Sequence, residues 1–241
     1  MKRPALALLL AAVAAVMAAG LAGLPRPGDP QAPVHGHVAA HVISQGIADT
    51  GSPNLVTAVL LAYRGYDTFG EVMVIFAALA AVMVVLAPAG SVPEDRPNET
   101  GPEEEGPKIA PSPVVGFVIR VLAPFIAAFA VLVLLHGEVS PGGGFQAGVI
   151  LGALLVLLSV VLGRGPDRPL LPVAMARWLQ AAGPLAFAAA MLIGLAATGA
   201  LLGLPASPSW ARGALLLLLE LGIALGGATI VLGLYLQMRG R

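Results

Sequence analysis

Cysteine is missing from all 241 residues. Disulfides, iron–sulfur ligation and thiol catalysis are excluded together. Charge is scarce: 11% of residues are Asp, Glu, Lys or Arg, against about a quarter in soluble domains. The charges sum to zero, which leaves no electrostatic case for nucleic acid as a partner. Aromatic residues make up only 5%, so helices built from this sequence must pack through small side chains and close backbones. No HExxH, P-loop, dinucleotide fingerprint or nucleophile–base pair appears. The chain therefore reads as having no catalytic site and no bound cofactor of its own.

What remains is apolar. Hydrophobic residues reach 58% and mean hydropathy is +0.90, values that belong to an integral membrane protein whose environment is the lipid bilayer. The expected fold is all-α, a multi-pass transmembrane helical protein with six spans in a 2 + 4 arrangement. Lys2 and Arg3 precede a charge-free run from Pro4 to Leu24, about 30 Å of helix. A cleaved signal peptide is the rival reading, given the basic start and the small residues Ala18, Ala19 and Gly20. The length of the run favours a retained span. A loop rich in Pro, Gly and His follows, from Pro25 to Pro53. Its His35, His37 and His41 have no carboxylate or thiolate at ligand spacing, so a solvated loop is expected rather than a metal site.

Asn54 to Tyr63 is apolar but ten residues long. That is too short to cross and fits an interfacial or re-entrant helix. The segment Arg64-Gly-Tyr-Asp-Thr-Phe-Gly-Glu71 leads into a span ending near Leu86. It places Asp67 and Glu71 on one helix face at the membrane boundary, as interface anchors or as parts of an ion path. Pro88 to Pro113 then holds seven prolines and six acidic residues. Such a stretch cannot bury enough apolar surface to fold. The expected division is a two-span domain at 1–88, an acidic Pro-rich linker at 89–112 and a four-span domain at 113–241. The back spans are expected at Pro113–Leu135, Phe145–Gly163, Trp178–Leu204 and Gly213–Met238.

The third and fourth spans are joined by His136-Gly-Glu-Val-Ser-Pro-Gly-Gly-Gly144. Pro141, Gly142, Gly143 and Gly144 make this a tight structural hairpin. The hairpin could hold an anion in a nest of backbone N–H groups, although no phosphate motif surrounds it. Gly144, Gly148 and Gly152 share one helix face, and Gly222 with Gly226 repeat the spacing in the last span; packing faces are the simplest reading. His136 either caps the last carbonyls of its helix, the simpler role, or relays protons. Glu138 stands beside it. Two charges fall well inside spans, Arg120 and Glu220, each at about 2.5–3.5 kcal/mol on insertion scales. They lie roughly 15 Å apart along the membrane normal, too far to pair. Arg120 reads as a snorkelling or subunit-contact residue. Glu220 either bonds a neighbouring helix or takes and releases a proton. With the N-terminus in the cytoplasm, nine basic residues fall on the cytoplasmic side and three on the other. The positive-inside rule then puts both termini in the cytoplasm and turns the hairpin outward, in a cell (inner) membrane.

Two motifs carry a family resemblance. His136-Gly-Glu-Val-Ser-Pro-Gly-Gly-Gly-Phe-Gln-Ala-Gly148 resembles the Gly-His-x-x-Pro-Gly-Gly-Gly-Phe hairpin of the MnhB family, the B subunit of multisubunit Mrp-type Na+/H+ antiporters. The likeness runs over residues 113–241. Here Glu138 stands in the usual His place, a pattern closer to related subunits of membrane-bound hydrogenase complexes. Asn54 to Glu71 is similar to the Arg-Gly-Phe-Asp-Thr-x-Gly-Glu segment at the C-terminal end of the large antiporter subunit, which those hydrogenases carry as a separate small subunit. The chain thus resembles two neighbouring subunits fused at the acidic linker. The resemblance implies a helper subunit that works with the other subunits of an Mrp-type or membrane-bound hydrogenase-like complex. It implies coupled movement of Na+ and H+, with Asp67, Glu71 and Glu220 as candidate ion-path carboxylates beside His136 and Glu138. The rivals are a scaffold that moves no ion and an independent secondary transporter.

Overall fold

In lipid every backbone polar group must find its partner inside its own segment, so apolar runs of this length resolve into helices. The computed structural model describes residues 3–86, 112–205 and 209–239, and those residues contain helices and no strand. Residues 89–111 of the acidic linker lie outside the described residues, as do Lys2 and Arg241; Arg96 and Lys108 fall within that stretch. Two compact units form, Met1–Gln45 and Gly46–Arg241. The first contains α1 (Arg3–Ala22), α2 (Pro33–Gly36) and the start of α3 (Val38–Thr50). In the second, α4 (Leu55–Thr57) passes into a π-helix (Ala58–Tyr63) and then α5 (Gly65–Val85). After the linker come α6 (Pro113–Leu135), α7 (Gly144–Val161), α8 (Val173–Gln180), α9 (Ala182–Thr198) and α10 (Ser209–Arg239).

Four of these, α5, α6, α7 and α10, are long and apolar enough to cross a membrane. The pair α8–α9 adds a fifth when counted as one span, and the apolar part of α1, Ala7–Ala22, is shorter. The expected fifth span, Trp178–Leu204, is instead two helices bent by 44°. Pro184 explains the break. It has no N–H to give the Gln180 carbonyl, and its ring clashes there, so α8 stops at Gln180 and the next turn restarts with Leu185 N–H to Ala181 O at 3.0 Å. Pro124 lies inside α6 without ending it. The end of α9 is set by Gly199, left-handed at φ 77°, the usual glycine stop.

The centre of the second unit is α10, which packs against α7 most extensively and also against α9, α5, α8 and α6. Two glycine faces make that possible. A Cβ on Gly148 would lie 3.1 Å from the Ala224 carbonyl, and one on Gly152 would lie 2.9 Å from Val231 Cβ. Gly148 and Gly152 therefore let the α7 backbone rest on α10. On another side of α10, a Cβ on Gly222 would meet the Ala182 carbonyl at 2.9 Å and one on Gly226 the Gly183 amide at 3.2 Å. Composition divides the sequence at the linker, but compactness follows another boundary. Leu61 of the π-helix and Val72 of α5 share one core with Phe187, Leu216, Leu219 and Ile223, and Phe69 stacks at a tilt on Phe187 with ring centroids 5.6 Å apart. The stretch 46–86 is thus built onto α9 and α10.

Candidate functional site

Glu220 sits midway along α10 and is 7% exposed. Its side chain reaches the N-terminus of α7, where the Gly144 N–H donates to Oε2. The first N–H groups of a helix have no partner within the helix and favour negative charge. A carboxylate from one helix therefore caps another. The hairpin glycines make room for it. A Cβ on Gly143 would lie 2.7 Å from Glu220 Oε2, and one on Gly137 would lie 3.3 Å from Oε1. Gly143 also adopts φ +120°, a conformation open to glycine and strained for other residues. The space left by the hairpin glycines holds the protein's own carboxylate, which receives one backbone N–H, that of Gly144.

The front motif holds the other side of the hairpin. Asn54 caps α4, its Oδ1 accepting from Val56 N at 3.0 Å. Its Nδ2 donates to the Gly137 carbonyl at 2.8 Å and the Ser140 carbonyl at 2.7 Å. Thr57 Oγ1 donates to the same Gly137 carbonyl at 2.5 Å. The Glu138 carbonyl accepts from Asn54 N at 3.0 Å and from Ser52 Oγ at 3.3 Å. On the inner side of the turn, Gly143 N donates to Val133 O at 3.2 Å. Thr68 of α5 donates to Leu60 O at 2.6 Å, and Arg64 N bonds Val59 O at 2.8 Å, so the π-turn is bound at both ends.

The candidates separate in position. Glu138 is half-buried on the hairpin; burial pushes its carboxyl above the ordinary range, and the Arg212 guanidinium opposes that. His136 is exposed, with Nδ1 3.0 Å from the Leu132 carbonyl, a capping contact. Asp67 is exposed and paired with Arg64, whose Nε donates to Oδ2 at 2.5 Å. Glu71 is exposed on α5 and Arg120 on α6. Neither Asp67 nor Glu71 lines the cavities beside Glu220. Among the described residues no group of three His, Cys, Asp or Glu is placed to hold a metal, His35, His37 and His41 included. Sequence reasoning does not find Ser52, Thr57, Thr68 or Arg212. Asn54 is visible there only as the start of an apolar run, although an Asn at that point is an N-cap signal.

A family model described as "Domain related to MnhB subunit of Na+/H+ antiporter" matches residues 114–237, just over half of the chain. The chain belongs to the MnhB-related family. A second model, MbhE, which describes the E subunit of MBH, matches residues 7–90 of this MnhB-related chain, so the two motifs mark two fused parts. An uncharacterized protein of Methanocaldococcus jannaschii is 29% identical over 120 residues, 46% of this chain and 45% of that protein. A Rhizobium meliloti protein, named as a probable A/B subunit of a K(+)/H(+) antiporter, is 24% identical over 133 residues, 50% of this chain and 13% of that one. The chain thus spans less than half the length of either curated relative. Among solved structures, a chain of the membrane-bound sulfane sulfur reductase, an archaeal respiratory membrane complex, superposes with TM-score 0.67 at 26% identity, covering 99% of this chain and 98% of that one. A chain of the Mrp complex from Dietzia sp. DQ12-45-1b gives TM-score 0.66 at 25% identity, with 99% of this chain and 26% of that one covered.

Proposed function

We propose that this chain is a membrane subunit of a multisubunit cation/proton antiporter module, either a stand-alone Mrp-type complex or part of a membrane-bound respiratory complex, and that Glu220 supports coupled Na+ and H+ movement in it. The observation that carries this reading is the Glu220 carboxylate itself, buried in a span and held at the joint between the MnhB-related part and the MbhE-like part. A carboxylate inside a membrane span is costly to insert and is a functional candidate by default. The relatives support the setting, because they are named as an Mrp complex, a respiratory membrane complex and part of an antiporter. In this reading the chain has no catalytic site and no bound cofactor, Na+ and H+ are cargo, and both termini face the cytoplasm.

The test is Glu220→Gln in the assembled complex, reconstituted in proteoliposomes. Gln keeps the volume, and its carbonyl can still accept from Gly144 N–H, but it cannot titrate. Na+/H+ exchange is expected to fall by about a hundredfold, the scale of a lost proton-transfer group, with all subunits still assembled. A second reading is a scaffold that orders its neighbours and moves no ion, favoured by the direct bonds of Asn54 and Thr57 to the hairpin. Undiminished exchange in the Gln variant would establish the scaffold and reject ion coupling at Glu220.

A further inference from the structure

Glu220 lies between two spaces. One is a cleft of about 250 Å³ lined by Leu134, Leu135, Glu138, Gly213, Leu217 and Glu220. The other is a chamber of about 20 Å³ whose lining includes Thr57, Leu61, Thr68, Phe145 and Glu220. Glu220 is the residue common to both. The small chamber exceeds the roughly 10–15 Å³ that one water needs, provided polar partners surround it. Thr57 and Thr68 already donate their hydroxyl protons to the Gly137 and Leu60 carbonyls. Thr57 Oγ1 also accepts from Asn54 Nδ2 at 3.1 Å, so the acceptor capacity that remains is one lone pair on Thr57 and two on Thr68, which a water molecule or hydronium would satisfy as a donor. Of the two carboxylate oxygens, Oε2 holds the Gly144 N–H. Oε1 accepts no hydrogen bond from the described residues, yet no fully buried side-chain oxygen among them lacks a partner. Oε1 is therefore open to the adjoining space.

We propose that protons reach Glu220 from the hairpin surface through the cleft beside Glu138 and leave it through a single water held between Thr57 and Thr68, at the joint of the two fused parts. This rests on the reading of Glu220 as a titrating group. The charged group that shares the cleft lining with Glu220 is Glu138 of the hairpin, itself faced by Arg212 at the start of α10. From α7 Glu220 meets the Gly144 N–H, and from α4 and α5 the hydroxyl-bearing residues Thr57 and Thr68 share its chamber. An arriving proton leaves a cleft water or the Glu138 carboxyl and converts the Glu220 carboxylate to the neutral acid. On release the proton passes to the chamber water as hydronium, and the carboxylate is restored.

The whole complex in its membrane tests both openings. A water-soluble carbodiimide, which modifies protonated carboxyls, is followed by mass spectrometry at Glu220. Gly213→Leu fills the cleft mouth, since a Cβ there points at Glu138 Oε1 from 3.6 Å, and Leu217→Phe fills the same cleft should the first variant fail to assemble. Labelling of Glu220 and exchange are both expected to fall about tenfold or more in the filled variants. Thr68→Val is expected to slow exchange while Glu220 remains labelled, and Thr68→Ser to restore it. Unchanged labelling in the filled variants overturns the entry route, and parental exchange in Thr68→Val overturns the exit. If Glu220→Gln keeps full exchange, the functional reading fails instead, and the labelling result still decides whether the cleft opens to water.

Discussion

At Gly143 two requirements coincide, a positive φ and the absence of a side chain where the Glu220 carboxylate lies. Gly143→Ala is expected to lose roughly 1–3 kcal/mol through strain and displaced packing, read as a lowered unfolding midpoint of the purified protein. At Gly163, also positive in φ but with open space around it, the same change carries the strain alone and is expected to lower the midpoint less. Glu138 makes a prediction in pH. Burial raises its carboxyl above the ordinary value of 4.5. The folded state then binds that proton more readily than the unfolded chain. The resulting stability is complete below about pH 4.5 and is lost as pH rises through the raised value. Glu138→Gln should unfold later than the parent at neutral pH and level with it in acid. Arg212→Met removes the opposing charge and should unfold earlier at neutral pH. Parallel pH curves for all three proteins would show that the buried carboxyl contributes nothing.

Among elements, the α7–α10 pair decides how tightly the second unit is built. A Cβ on Gly148 would lie 3.3 Å from Ala224 Cα, whereas one on Gly227 would lie 3.9 Å from Gly148 Cα. Gly148→Leu should therefore separate the helices and destabilise by several kcal/mol at most, typically 1–3. Gly227→Ala should be neutral or slightly stabilising, because alanine is the better helix former by about 1 kcal/mol. Thermal unfolding of the two variants in detergent compares them directly. The limits of α6 were legible in the sequence, since Pro113 fits a first helical position and His136-Gly137 ends the apolar run. The bend between α8 and α9 was not, because membrane helices often carry proline without breaking, as α6 does at Pro124. The glycine spacing on α7 announced a close contact but could not name α10 as the partner. The π-turn at Ala58–Tyr63 left no trace in the pattern; it depends on Thr68 bonding back to Leu60 O.

On the scale of the whole molecule, the joint between the fused parts is the least legible feature. Asn54 and Gly137 are 83 residues apart in sequence, and periodicity carries no information about such pairs. Glu220 was visible as a costly charge in a span, yet its cradle was not, because three glycines from a turn say nothing about which acid lies over them. The joint is nevertheless strong: an apolar core shared by Leu61, Val72 and Phe187 and a set of side-chain bonds from Ser52, Asn54 and Thr57 to hairpin carbonyls. Covalent continuity through the linker is therefore expected to be dispensable. Cutting the chain within residues 89–112 and producing the two pieces together should still give a stable pair that copurifies and assembles. Asn54→Ala leaves the Gly137 carbonyl one donor short and the Ser140 carbonyl without the Asn54 bond, a loss of about 1–3 kcal/mol. In the intact chain tethering masks much of that loss, because the two parts remain at high effective concentration. In the severed pair it should appear as weaker copurification. Equal recovery of severed parent and severed Asn54→Ala would mean that the apolar core alone holds the parts together.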